Sequence, residues 1–225
     1  AEGGNTTLNS TIVAGNLLSD GTTPSDIDGA VDAANSAYNL IGTGGSGGLT
    51  NNTNDNIVGV ADPLLAPLGD YGGPTQTMAL LPGSPAINAG DPTDTSPDQR
   101  GIDPVGTRDI GAFESHGFTI SVTSGDNQVV KPNANFALLV VTVSSAFDEP
   151  VEGGQVTFAA PTSGPSASLF PTATIAADST AGVPATANSE SGTYQVTASA
   201  AGAATPASFT LTNDGVAPTT TATPN

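Results

Sequence analysis

Apolar residues along this chain come in short clusters, and their spacing changes once. In the first part the clusters are two or three residues long and end in Asn or Gly. Examples are Leu8-Asn9-Ser10-Thr11-Ile12-Val13-Ala14-Gly15-Asn16, Ser36-Ala37-Tyr38-Asn39-Leu40-Ile41-Gly42 and Asn56-Ile57-Val58-Gly59-Val60. Very short strands closed by residues that tolerate left-handed backbone predict rungs of a parallel β-helix, with Leu, Ile and Val turned inward onto the next rung. The Gly-rich run at 44–48 reads as a turn, because a phosphate cradle would need a Lys or a following helix start. Beyond His116 the clusters lengthen and alternate with period two. They run through 118–122, then Leu139, Val141 and Val143, then Val156 and Phe158, then Tyr194, Val196 and Ala198, then Phe209 and Leu211. Turn signals at Asp148-Glu149-Pro150, Glu152-Gly153-Gly154, Ser163-Gly164-Pro165 and Ser191-Gly192 separate them. Many short strands with regular turns predict an immunoglobulin-like β-sandwich.

Composition narrows the field. The chain has 225 residues, with 21 acids against three bases and a net charge of −18. Phosphate neutralisation needs clustered Lys and Arg, so no nucleic-acid partner is expected. With 28 Gly, 18 Pro and abundant Thr, Asn and Ser, a helical bundle is excluded as well. A hydrophobic fraction of 36% argues against disorder, which requires low hydrophobicity together with high charge. Cys is absent, which a domain of this size tolerates in any compartment. The longest apolar run, 136–141, is strand-sized, so no transmembrane segment is expected. Few Lys and an acidic surface rich in Thr, Asn and Gly fit an exported bacterial protein, extracellular or at the cell surface. A start at Ala1 without Met is what a removed signal peptide or a fragment would give.

The stretch from Asp62 to Glu114 carries a more specific signal. Asp62-Pro63-Leu64-Leu65, Gly72-Gly73-Pro74-Thr75-Gln76-Thr77, Leu81-Pro82-Gly83-Ser84-Pro85-Ala86-Ile87-Asn88-Ala89-Gly90 and Asp109-Ile110-Gly111-Ala112-Phe113-Glu114 resemble the C-terminal part of bacterial surface proteins with a choice-of-anchor Q domain. The resemblance covers roughly residues 5–115. It implies the end of a right-handed parallel β-helix with a capping segment and an exported location, and no particular activity. Members carry a long solenoid before this point. The few rungs here lead to the expectation that further rungs have been cut away or that a partner covers the first one. In the second part, Pro150-Val151-Glu152-Gly153-Gly154-Gln155-Val156-Thr157-Phe158, Gly192-Thr193-Tyr194-Gln195-Val196-Thr197-Ala198 and Phe209-Thr210-Leu211-Thr212-Asn213 resemble bacterial immunoglobulin-like domains of the invasin and intimin type, which serve as stalk modules and adhesive tips. The expected organisation is all-β: a short right-handed parallel β-helix with an irregular cap over 1–116, a sandwich over 117–214 and an extended Thr/Pro linker or tail over 215–225.

Candidate chemistry is confined to acids and two arginines. Arg100 and Arg108 lie among Asp98, Asp103, Asp109 and Glu114. Arg binds a carboxylate by parallel hydrogen bonds and can pin a loop that lacks strand pairing, so these six residues are expected to form a structural clamp. Asp91, Asp94 and Asp98 are the candidates for a calcium site, although they lack the alternating spacing of an EF-hand loop. Hydrolysis of a polysaccharide needs two carboxylates at a set separation. Asp26 with Asp28, or Asp94, Asp98 and Asp103, would have to supply them, and a structural role is the favoured reading for all five. His116, the single His, has no second His or Cys for metal or triad chemistry and reads as a linker residue. The sequons at Asn5, Asn9 and Asn51 are expected to be unmodified in a bacterial protein. No catalytic residues and no certain cofactor are assigned, and the chain is not expected to be an enzyme. The expected function is structural: a rigid module, or a subunit of a filament or matrix assembled head to tail. Its partners would be other copies or adjoining surface-protein domains. An adhesin for a glycan or host protein is the alternative, and a polysaccharide-degrading fragment is less favoured.

Overall fold

The computed structural model describes residues 6–215, and every regular element among them is a strand. The chain is therefore all-β over this range. No helix there is long and apolar enough to cross a membrane. The expected tail falls, apart from Gly215, outside the described residues. Two compact units are present. The first runs up to Thr119 and takes in Ser144–Gln155 and Ala201–Ala204; the second holds Ile120–Val143, Val156–Ala200 and the chain from Thr205. The two inserted stretches had been assigned by sequence to the sandwich. They belong to the first unit because they bond to it: Gln155 N donates to Pro82 O at 2.8 Å, and Gly83 N donates to Ala201 O at 3.1 Å.

The first unit contains three two-residue strands, β1 (Ile12–Val13), β2 (Leu40–Ile41) and β3 (Ile57–Val58). They pair in parallel in the order β1-β2-β3, with Ile12, Leu40 and Ile57 in register. A left-handed residue precedes each strand, and a buried Asn directly precedes two of them. Two residues before each strand stand Ser10, Tyr38 and Asp55, all in the left-handed region at φ 45°, 55° and 56°. Such a corner turns the chain and ends any longer ladder. Directly before β2 and β3 lie Asn39 and Asn56, both fully buried. Asn39 Oδ1 accepts Thr11 N at 3.0 Å, and Asn56 Oδ1 accepts Asn39 N at 3.1 Å and Asn39 Nδ2 at 2.8 Å. Asn56 Nδ2 donates onward to Ser36 O and Thr53 O. An amide side chain, with acceptor and donors on one head, bridges backbone groups that two-residue strands leave unpaired. After β2 comes Gly42, where a Cβ would sit 2.5 Å from Asp26 Oδ2. That carboxylate accepts Asn16 N at 2.9 Å through Oδ1 and Gly44 N at 2.7 Å through Oδ2. The Gly-rich run is thus a close backbone approach to Asp26. Leu40, Ile41, Leu80, Ile110 and Phe113 fill the core of this unit.

The second unit, apart from the strand-end residues Thr119, Ser144 and Gln155 that fall in the first, contains β4 (Thr119–Ser124), β5 (Gln128–Val130), β6 (Leu139–Ser144), β7 (Gln155–Ala159), β8 (Ala167–Leu169), β9 (Thr172–Thr174), β10 (Thr180–Val183), β11 (Ala185–Ala187), β12 (Gly192–Ser199) and β13 (Ala207–Asn213). Their sheets have the orders β10-β6-β4, β11-β8 and β5-β13-β12-β7-β9. The period-two pattern holds: Leu139, Val141 and Val143 are buried on β6, as are Val156 and Phe158 on β7 and Tyr194, Val196 and Ala198 on β12. At one end Asn213, 1% exposed, accepts Tyr194 Oη at 3.1 Å and donates to Ser166 O, Asn188 Oδ1 and Glu190 O.

Asn56→Ala would take the shared acceptor away from Asn39 N and Asn39 Nδ2 in the core, and each buried polar group left without a partner costs about 1–3 kcal/mol. The first unit should lose at least about 2 kcal/mol in urea unfolding, while Thr53→Ala, at an exposed turn position, should change stability by a few tenths.

Candidate functional site

The chain between Tyr71 and Ser115 contains no named strand, and much of its order comes from charged side chains bonded to the main chain. Asp98 is the centre. Its Oδ1 accepts Arg100 N at 2.8 Å and Ile102 N at 3.0 Å, and its Oδ2 accepts Glu114 N at 2.9 Å and Arg100 Nε at 2.8 Å. Arg100 Nη2 also lies 2.7 Å from Oδ2, and the two side chains are 8% and 3% exposed. The remaining Arg100 donors reach Tyr71 O and Glu114 O. Its guanidinium carbon lies 3.5 Å from the centroid of the Phe113 ring, a cation–π contact, and Tyr71 meets the same ring edge-on at 6.2 Å. Burial opposes the charge on Asp98, but the hydrogen bonds from Glu114, Ile102 and Arg100 outweigh it and hold the carboxyl below its ordinary range.

A second group of buried acids follows. Asp109 accepts Asn88 N at 2.6 Å and Ser115 N at 2.7 Å. Glu114 accepts Val105 N and Asp109 N, each at 2.9 Å. Glu149 accepts Ser115 Oγ and His116 N, each at 2.8 Å, and His116 Nδ1 lies 3.3 Å from its Oε1. The His116 ring stacks on Phe147 at 4.2 Å. Burial pushes the Asp109 carboxyl up to about 7; the two amide bonds oppose this and the charges of Glu114 and Glu149 add to it.

The expected clamp is therefore partly present and differently wired. Arg100 and Asp98 form it. Arg108 makes a looser contact, 3.6 Å to the half-exposed Asp94, and donates to Ser96 O; its Nε is buried and has no partner among the described residues. Asp103 is exposed and stands apart, because Arg100 is already saturated. Asp109 and Glu114 do not pair with either Arg through their carboxylates, since both are turned onto backbone N–H groups. The calcium candidates are not brought together. Asp91 holds Thr93 N and Oγ1, Asp94 holds Ser96 N and Asp98 holds Arg100. Among the described residues no three His, Cys, Asp or Glu side chains converge as a metal site. His116 is more than a linker, being tied to Glu149 and Phe147. Glu149 went unrecognised because its partners lie 33 and 34 residues away in sequence; the Asp148-Glu149-Pro150 turn signal alone could not show that it folds back.

No family model matches this chain and no curated protein matches it. Among solved structures, FdeC, an adhesin of Escherichia coli, is similar at 14% identity over 51% of this chain and 40% of that chain, with a TM-score of 0.31.

Arg100→Ala leaves Asp98 buried without its cation and should cost about 3–5 kcal/mol, with faster hydrogen exchange through residues 91–114. Arg108→Ala removes a looser, partly exposed contact and should cost about 0–1 kcal/mol. Equal effects of the two variants would contradict this wiring.

Stability should also vary with pH in two directions. The folded pKa values of Asp98 and Asp94 lie below the ordinary 3.8, so their contribution is present above that pH and is lost as pH falls through the folded values. The folded pKa of Asp109 is raised to about 7. Between 3.8 and about 7 the folded state holds a proton that the unfolded chain has released, so stability falls as pH rises through this window. Melting temperature should peak on the acidic side of neutral, and Asp109→Asn should flatten the decline toward about pH 8 whatever its effect on absolute stability.

Proposed function

We propose that this chain is a non-enzymatic structural module of an exported bacterial surface protein. In this reading the first unit is the end of a short right-handed parallel β-helix with its cap, of the choice-of-anchor Q type, and the second is an immunoglobulin-like sandwich of the invasin and intimin type. The observation that carries the reading is the use of the buried acids. Asp98, Asp109, Glu114 and Glu149 each accept backbone N–H groups from loops. A glycoside hydrolase needs two carboxyl groups facing the scissile bond, one to give a proton and one to attack or activate water. Carboxylates turned onto their own main chain serve to hold loops in place.

Assembly follows from the ladder. Among the described residues β1 has a strand neighbour on one side only, and an open edge recruits another strand. Head-to-tail contact of this kind does not close on itself and builds filaments. With −18 charges per chain, added salt or calcium should favour association by screening repulsion. Light scattering with salt, with calcium and then with chelator should show growth that screening promotes. A monomer under all three conditions would remove the filament, and release of reducing ends from polyuronates would remove the structural reading itself.

A further inference from the structure

The corner positions of the three rungs are occupied by Ser10, Tyr38 and Asp55, stacked by the register of the ladder. All three are left-handed. Asp tolerates that conformation through its short polar side chain, and Ser is small, but a bulky aromatic there is an outlier. Outliers of this kind persist where the surroundings impose them, and they gather at ligand-binding positions. Tyr38 is half-buried and lines a recess of ≈ 490 Å³, walled also by Asn52, Asp55, Asn88 and Thr107. All of these belong to the first unit. Asn54 and Asn56, beside the recess, bond their side chains to backbone carbonyls. The side chains of Asn52, Asn88 and Thr107 hydrogen-bond no protein group among the described residues.

The wall is chemically mixed. One aromatic ring offers a flat, electron-rich face to weakly positive C–H groups. Two amides present donors and acceptors together, a hydroxyl does both, and one carboxylate accepts strongly. A ligand that matches must present a C–H face and several hydroxyls. An anionic sugar would meet Asp55 and Asp91, whose charges, after burial, raise the pKa of the Tyr38 hydroxyl. An ammonium group would draw on the carboxylate and the ring face but has no acceptor for the amide and hydroxyl donors.

We propose that this recess binds a neutral sugar residue, with Tyr38 as its platform and Asp55, Asn52, Asn88 and Thr107 as its hydroxyl partners. The inference is independent of the structural reading above, since a scaffold and an adhesin can share one fold.

Amide NMR of the full, isotope-labelled chain tests it. The titrants are glucose, galactose and N-acetylglucosamine at millimolar concentrations, with glucuronate and choline as the anionic and cationic probes. At least one neutral sugar should give saturable shifts at residues 52–56 and 88–90. Tyr38→Asn should weaken that binding by about tenfold or more, the scale of losing one aromatic anchor. The same variant should melt higher, because Asn accepts the left-handed corner. Tyr38→Ser, which places at this corner the residue found in the first rung, repeats the test in a second background. No saturable shift with any of the three sugars, shifts that survive both substitutions, or a preference for choline or glucuronate would overturn the proposal.

Discussion

Parallel strands only two residues long leave most backbone N–H groups around them outside any ladder, and each buried one needs an acceptor. The first unit is organised around this requirement. Asn39 and Asn56 meet it between rungs, Asp26 meets it at the Gly-rich approach, and Asp98, Asp109, Glu114 and Glu149 meet it in the cap. The acidity of the protein is thus in part internal. Carboxylates are strong acceptors with room for several donors, and a loop-rich fold has donors in excess.

Burying four acids carries an electrostatic cost that one buried cation offsets locally. Arg100 suits the position better than Lys could. Its planar head reaches Asp98 through Nε and Nη2, the carbonyls of Tyr71 and Glu114 through Nη1 and Nη2 and Phe113 through its face. A Lys would supply a single charged point with no face to stack. Asp109 lies beyond that cation's hydrogen-bonding reach and meets the same cost by holding a proton toward neutral pH.

The strands of the second unit were legible from residues alone, because inward and outward positions alternate visibly along Leu139 to Ser144 and along Gly192 to Ser199. The three short parallel strands were legible as Asn- and Gly-bounded apolar pairs. The scarcity of Arg drew attention to Arg100, which the folded chain places against Asp98. What escaped was everything set by contact across distance. Nothing near Glu149 says that it closes on Ser115 and His116, and nothing near Asp103 says that it stands apart while Asp98, five residues before it, is the centre. A clamp inferred from neighbourhood in sequence gathers every nearby acid, whereas the folded chain selects by where each backbone amide points. The turn glycines hid a similar distinction: Gly42 is small because of Asp26, a residue sixteen positions earlier.

The spacing of the rungs has a consequence for how such a chain can change. From β1 to β2 the circuit takes 28 residues, and from β2 to β3 it takes 17, as the registers Ile12–Leu40 and Leu40–Ile57 give. The corner is nevertheless built the same way each time, by a left-handed residue followed by a side chain that bonds locally or to the neighbouring strand's segment. Register is therefore fixed at one point of each circuit and left open around the rest. Insertions and deletions of many residues can accumulate in the remaining arc without disturbing the stack. The corner acts as punctuation, and the variable text between two marks is where new surface can be written at little cost to the fold.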